Sequence, residues 1–216
     1  MNEINLIAAF LIGLAGSVHC IGMCGGVMSA FTFAAPKDAN KHHFVLSYNV
    51  GRILSYSMIG AATGYIGTIV SSATNTKIPI LDYISITFLV LLALYISDIW
   101  KGLSVLEQLG SHVWKRIQPL SKLFIPVKNL KYAFMYGMIW GYLPCGLVYS
   151  ALTWSLASGG AIKGAMLMAA FGLGTLPSLI AISVGANSLL PLMQHKVTRN
   201  LVALFLMLSA VFLIFT

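Results

Sequence analysis

Cysteine, methionine and histidine residues cluster in one short segment of this chain and give it its most distinctive chemistry. Cys20, Cys24 and Met28 are four residues apart, so in a helix they form one stripe. His19 and Met23 form a second stripe beside it. Thiolate, thioether and imidazole groups together suit a soft cation such as Cu(I) better than Mg²⁺ or Ca²⁺. The segment therefore predicts a soft-metal site.

The remaining cysteine, Cys145, lies in a segment that repeats the first cluster. A shift of 121 residues aligns Cys24–Ala30 with Cys145–Ala151 without a gap, and five of the seven positions are identical. The same shift pairs Gly16 with Gly137, Gly51 with Gly172, Ser57 with Ser178 and Gly64 with Gly185. Cys145 is thus predicted to supply a third thiolate across the interface between the repeats. The structural alternative is that the cysteines only fill an apolar core.

Composition indicates a membrane protein in which these residues are carried by helices. The 216 residues are 58% hydrophobic and 8% charged, whereas soluble domains are about 25% charged. Six apolar spans are predicted, at Ile4–Ala34, Phe44–Ser71, Ile80–Trp100, Tyr132–Ala157, Ala161–Ala186 and Leu201–Thr216. They leave no room for a soluble catalytic domain, and no P-loop, Rossmann fingerprint or His-Glu-x-x-His motif is visible. The predicted class is an all-α integral membrane protein.

The basic residues predict the orientation of these spans. The net charge of +8 would suggest nucleic acid in a soluble protein, but here no nucleic-acid partner is expected. Eleven of the thirteen Lys and Arg residues lie in the first, third and fifth loops or, for Arg52, near the same end of the second helix. Only Lys77 and Lys163 lie in the other loops. Because basic loops are retained in the cytoplasm, both termini are predicted to face outward.

Three helices per repeat have a topological consequence. The second unit must enter the membrane from the opposite side, which gives an inverted repeat. The predicted units are residues 1–100, a cytoplasmic amphipathic linker at 101–131, and residues 132–216. Inverted-repeat transporters bind their substrates near mid-membrane, beside broken helices. Pro144 next to Cys145, and Pro177 in the fifth span, each remove a backbone hydrogen bond.

Arg52 lies about eight residues inside the second predicted span. Two roles are open to it. Its long side chain can extend to the cytoplasmic surface, or it can stay inside, where it would attract an anion or line a pathway.

Three motifs carry a resemblance that spans nearly the whole chain. They are Gly-Ser-Val-His-Cys-Ile-Gly-Met-Cys-Gly-Gly at 16–26, Tyr-Asn-Val-Gly-Arg-Ile-Leu-Ser-Tyr at 48–56 and Leu-Pro-Cys-Gly-Leu-Val-Tyr-Ser-Ala-Leu at 143–152. They resemble the bacterial sulfite exporter TauE/SafE-like family with a UreH-like transmembrane domain, also described as a cytochrome c biogenesis transmembrane region. Its wider relatives resemble the CcdA/DsbD thiol–disulfide transporters. The resemblance implies a multi-pass protein of the bacterial inner membrane.

Two chemical functions follow from these residues and from the resemblance. The leading hypothesis is transport or handling of Cu(I), with metallochaperones and cytochrome oxidase assembly factors as partners. Its main ligands would be Cys20, Cys24 and Cys145, assisted by His19, Met23 and Met28. The alternative is thiol–disulfide electron transport through Cys24 and Cys145 with a thioredoxin-like partner. The resemblance implies one redox cysteine per repeat, so the additional thiol of Cys20 favours the metal. A third reading is an assembly scaffold in which the cysteines only pack.

Overall fold

The computed structural model describes residues 3–16, 41–74, 127–142 and 145–183, with single positions at 87, 90, 91, 94, 116, 119, 124, 197, 200 and 204. The regular elements in these ranges are all α-helices. They are α1 (Glu3–Ala15), α2 (Lys41–Thr74), α3 (Leu130–Trp140), α4 (Gly146–Ala157), α5 (Ala161–Gly174) and α6 (Leu176–Ser183). The all-helical class is confirmed for the described residues. Only single positions of the third and sixth predicted spans are described.

The second predicted span, Phe44–Ser71, is a helix as expected. α2 extends it by three residues at each end and is continuous over 34 residues. Within the described ranges, two stretches are long and apolar enough to cross a membrane, namely His42–Val70 and Ala161–Ala181. The first predicted span begins as expected with α1, and Gly16 closes the last turn through its N–H to the Ile12 carbonyl (2.8 Å). Residues 17–40 lie outside the described ranges.

In the fourth predicted span, Tyr132–Ala157, the helix is interrupted between Trp140 and Gly146, the region in which Pro144 was predicted to remove a backbone hydrogen bond. α3 begins after Asn129, whose side-chain oxygen accepts the N–H of Tyr132 (3.1 Å), and it ends at Trp140. α4 begins only after Cys145, whose backbone is extended (φ −121°, ψ 148°). The sequence explains the break, because Pro144 has no N–H to donate and disfavours helical backbone in the residue before it.

The fifth predicted span, Ala161–Ala186, is one helical stretch over Ala161–Ala181 with an irregularity at Thr175. Thr175 keeps a helical backbone (φ −82°, ψ −11°) between α5, which ends at Gly174, and α6. Pro177 lies in the first turn of α6, where a missing N–H is tolerated, so the helix continues through α6. Before α5, Gly159 adopts a positive φ of 62° in the short turn that joins it to α4.

Glycines set the close contact between α2 and α5. Gly60 lies against Gly164, and Gly64 lies against Gly160. A Cβ on Gly60 would approach the carbonyl oxygen of Gly164 to 2.5 Å, so the two backbones meet without side chains between them. As residue numbers rise along α2 they fall along α5, and the two helices are therefore antiparallel.

α2 and α3, by contrast, run parallel. Tyr48 contacts Gly137 through its carbonyl group, and one or two turns further along both helices Ser55 contacts Gly141. Ser55 Oγ also donates a hydrogen bond to the Met138 carbonyl oxygen (2.7 Å). α2 thus lies between the fourth and fifth spans, and contacts α3, α4 and α5.

Candidate functional site

Cys145 occupies the end of the break in the fourth span. It is the N-cap residue of α4, and its carbonyl oxygen accepts the N–H of Tyr149 (3.1 Å). The residue is only 7% exposed. Its side chain makes no capping hydrogen bond to the first N–H groups of α4.

The surroundings of Cys145 are apolar and come from four helices. The cluster that contains it is formed by Ala9 and Ile12 of α1, Tyr56 of α2, Leu147, Val148 and Ala151 of α4, and Leu167, Met168 and Phe171 of α5. α1, α2, α4 and α5 therefore converge around the break. A thiol placed there is shielded from water on every side that the described residues cover.

Two adjacent contacts between α2 and α5 adjoin this cluster. In the first, which we name the aromatic rung, the rings of Tyr56 and Phe171 lie 5.9 Å apart at 53°. In the second, the polar rung, Arg52 Nη2 donates a hydrogen bond to Thr175 Oγ1. Arg52 precedes Tyr56 by one turn, and Thr175 follows Phe171 by one turn. The guanidinium carbon of Arg52 lies 5.3 Å from the centroid of the Tyr56 ring, so a cation–π contact joins the two rungs.

Arg52 is an interior residue. It is 2% exposed, so the possibility that its side chain extends to the membrane surface is wrong. Its guanidinium reaches the irregularity at Thr175. Its carbonyl oxygen would lie 3.1 Å from a Cβ built on Gly141, the residue that caps α3. Arg52 therefore adjoins both the break of the fourth span and the irregularity of the fifth.

Sequence reasoning missed three residues of this interior. Asn49 lies on the same face of α2 as Arg52, one turn earlier, and is 1% exposed. Its Nδ2 donates to the Val45 carbonyl oxygen (2.8 Å), while its buried Oδ1 has no hydrogen-bond partner among the described residues. The other two are Tyr56 and Thr175. A usable signal existed for Thr175, because it is a polar residue inside an apolar span, two positions before a proline.

The predicted site residues divide into two sets. Cys145 is described and lies at a helix break, as the sequence led us to expect of the site. The predicted ligands from the first span, namely His19, Cys20, Met23, Cys24 and Met28, lie outside the described ranges. The approach of Cys24 to Cys145 therefore stays a prediction. Within the described part of the chain, no three His, Cys, Asp or Glu residues come together as a metal site would need.

Three features are those of a polytopic α-helical membrane protein. Two helices are long and apolar enough to cross a membrane, two spans contain an interruption or an irregularity, and a buried thiol lies at the interruption. Residues 8–212 match the family described as the cytochrome c biogenesis protein transmembrane region (DsbD_2), and the chain belongs to that family. It is a multi-pass protein of the bacterial inner membrane. Comparison with curated proteins and with solved structures finds no match. The predicted relationship to the DsbD group is confirmed, while the TauE/SafE-like and UreH-like assignments stay predictions.

Proposed function

We propose that this chain carries reducing equivalents across the inner membrane by thiol–disulfide exchange at Cys24 and Cys145. The position of Cys145 carries the proposal, since a buried thiol beside the interruption of a membrane helix, with a repeat-equivalent cysteine at position 24, is suited to reversible disulfide exchange. The family description supports it. Covalent haem attachment in c-type cytochromes uses the cysteines of a C-x-x-C-H motif, and those cysteines must be reduced before they can react.

The exchange is balanced in each half of the cycle. A thiolate of a cytoplasmic thioredoxin-like donor attacks one sulfur of the Cys24–Cys145 disulfide, and the other sulfur leaves as a thiolate. The donor's second cysteine then attacks the mixed disulfide, which yields an oxidised donor and the reduced Cys24–Cys145 pair. Two electrons have moved. On the outer side a thiolate of the pair attacks the disulfide of an acceptor, and the same two steps return the pair to its disulfide.

An inverted repeat provides a route between the two sides, and the packing supports it. α1 approaches α5 where Gly13 meets the Phe171 carbonyl group, and α2 approaches α3 where Gly51 meets that of Phe134. The 121-residue shift carries Gly13 onto Phe134. It also carries Val50, the neighbour of Gly51, onto Phe171. The two contacts are therefore equivalent to within one residue.

The same shift indicates where a pseudo-two-fold axis would pass. α2 and α5 correspond under the shift and lie antiparallel, as an axis in the membrane plane requires. Arg52 and Thr175 are 123 residues apart, close to the shift of 121. Nearly equivalent positions meet at the polar rung, so the axis would pass beside it. Transporters with inverted repeats place their sites near this axis.

Thiol exchange takes precedence here over Cu(I) handling, which the sequence alone favoured. The copper hypothesis rests on Cys20 and its neighbours, which lie outside the described ranges. The family description points to the thiol chemistry instead. Copper binding and its partners, the metallochaperones and oxidase assembly factors, stay predictions.

Trapping of a mixed disulfide tests the proposal. A thioredoxin-like donor whose second cysteine is replaced by serine cannot resolve its adduct, and it should accumulate disulfide-linked to this chain in inverted membrane vesicles. The matched variant Cys20→Ser should retain the adduct, and the double variant Cys24→Ser/Cys145→Ser should lose it. The proposal would be overturned if no adduct forms and the oxidised chain is not reduced by the unmodified donor.

A further inference from the structure

α2 packs against α5 and α6 as an antiparallel series of contacts, one per helical turn. Gly60 contacts Met168 in the first, and the aromatic rung is next. The polar rung follows, and beyond it Tyr48 shares an apolar cluster with Leu179. The polar rung is the member of this series in which a charged group supplies the contact.

This rung lies at the junction between α5 and α6. The N–H of Thr175 is shared between the carbonyl oxygens of Phe171 (3.3 Å) and Gly172 (3.2 Å), both at long distance. Pro177, two residues later, has no N–H to bond back to α5. The backbone connection between α5 and α6 is therefore loose. Arg52, from the other half of the protein, fixes this junction through the hydroxyl of Thr175.

The polar rung is also next to two aromatic residues of the cluster that contains Cys145. Tyr56 and Phe171 belong to the same apolar cluster as Cys145. Each is one turn away from a member of the polar rung, and the guanidinium of Arg52 lies over the Tyr56 ring. A separation of Arg52 from Thr175 would release the junction between α5 and α6 and would remove the cation that holds the Tyr56 ring in place.

We propose that the polar rung is a latch over Cys145, in which Arg52 acts as the positioning residue. While Arg52 bonds Thr175, the aromatic rung stays closed and Cys145 is shielded. When that bond opens, the rings of the aromatic rung separate and the thiol becomes accessible to an exchange partner. The functional role of the latch rests on the proposed thiol exchange. Its opening, however, needs no redox partner.

Alkylation of Cys145 tests the latch directly. The chain has three cysteines, so replacing Cys20 and Cys24 by serine leaves Cys145 as the single thiol. Thr175→Val keeps the shape of the side chain and removes the hydroxyl that Arg52 requires. A small membrane-permeant maleimide should then label Cys145 about tenfold faster, in line with the loss of a hydrogen bond to a charged group.

Labelling rates of further variants distinguish the loss of a latch from a general weakening of helix packing. Thr63→Val removes another interhelical hydroxyl contact of α2, the hydrogen bond from Thr63 Oγ1 to Ser155 Oγ (3.1 Å), and should leave the labelling rate unchanged. Thr175→Ser and Arg52→Lys keep an acceptor and a donor respectively, and should label within about threefold of the parent. Arg52→Met should resemble Thr175→Val. The latch is refuted if Thr175→Val labels at the parental rate, or if Thr63→Val accelerates labelling equally.

The two proposals fail separately. If labelling responds as expected but no mixed disulfide can be trapped, the latch stands and the electron-transfer function falls. If the mixed disulfide is trapped but the labelling rate of Cys145 does not change in the polar-rung variants, the proposed function stands and the latch is refuted.

Discussion

Ser155 Oγ donates a hydrogen bond of 2.9 Å to the carbonyl oxygen of Gly60, and so joins α4 to α2 across 95 residues of sequence. Thr63 Oγ1 donates to the same hydroxyl (3.1 Å), and Gly164 of α5 leaves the space that the hydroxyl occupies. Three helices are connected at this point. Ser155 is completely buried, so its hydroxyl has no access to water.

Replacing Ser155 by alanine should therefore destabilise the fold. We expect a loss of about 0.5–1.5 kcal/mol in the free energy of unfolding, as found for hydrogen bonds between membrane helices. Denaturant titration in detergent micelles measures it. Ser72→Ala is the matched control, because its exposed hydroxyl bonds only to the Ile69 carbonyl oxygen of its own helix (2.9 Å). Equal stability of the two variants would contradict the assignment.

Gly51 should not accept even a methyl group. Its Cβ would collide with the Phe134 carbonyl oxygen, and backbone cannot move aside as a side chain can. We expect Gly51→Ala to cost about 1–3 kcal/mol through overpacking, although alanine in a helix otherwise gains about 0.5–1 kcal/mol over glycine. In Gly160→Ala the new methyl meets only side-chain carbons of Lys163, the nearest at 3.6 Å, and thermal unfolding should be little changed. A stabilised Gly51→Ala variant would show that α2 and α3 do not approach as described.

Lys131 and Lys163 should face opposite sides of the membrane. Both are exposed and lie in the first turns of α3 and α5. α3 runs parallel to α2 and α5 runs antiparallel to it, so the two helices begin at opposite ends of the bundle. The charge distribution places Lys131 in the cytoplasm and Lys163 outside. Membrane-impermeant maleimide should label Lys163→Cys, but not Lys131→Cys, in intact cells with the native cysteines replaced, and the opposite pattern would reverse the topology.

Cys20→Ser distinguishes electron transfer from copper handling. If Cys24 and Cys145 are the redox pair, the variant should transfer electrons to an outer acceptor at close to the parental rate. Cys24→Ser and Cys145→Ser should each abolish the transfer. A Cu(I) site would behave differently, because loss of any of the three thiolates should weaken copper binding severely. Loss of copper binding in Cys20→Ser, with the Cys24–Cys145 disulfide still able to form, would favour the metal. Metal analysis of the purified, reduced protein gives the second measurement.

Apolar runs were sufficient to predict helices, but not where the helices are interrupted. α2 was predicted to within three residues at each end, since Lys41–Thr74 is an apolar run without a proline. The fourth span has the same apolar character, yet it opens between Trp140 and Gly146. Pro144 signalled a lost hydrogen bond. The extent of the opening also depends on Gly141, which fits against Ser55 of another helix. Tertiary contacts of this kind leave no trace in hydropathy.

The environment of Arg52 was likewise beyond sequence reasoning. A long cationic side chain near a helix end is expected to reach water, and only the position of Thr175, 123 residues away, shows that it is held inside. Cys145 was predictable because cysteine chemistry and the repeat with Cys24 are both local features of the sequence. The partners of a buried charge are set by packing between distant segments.

Because the turn at Gly159 is short, α4 and α5 can fold together as soon as they are synthesised, whereas α2 cannot yet fold with its described neighbours. α4 and α5 are joined by three residues and can enter the bilayer together as a hairpin. Among the described helices, α2 contacts α3, α4, α5 and α6, all of which are synthesised much later. At a synthesis rate of about 5–20 residues per second, several seconds pass between the synthesis of α2 and that of the helices that cover its glycine face and Arg52. Truncation of the chain before α3 should therefore leave the glycine face of α2 without the described helices that cover it.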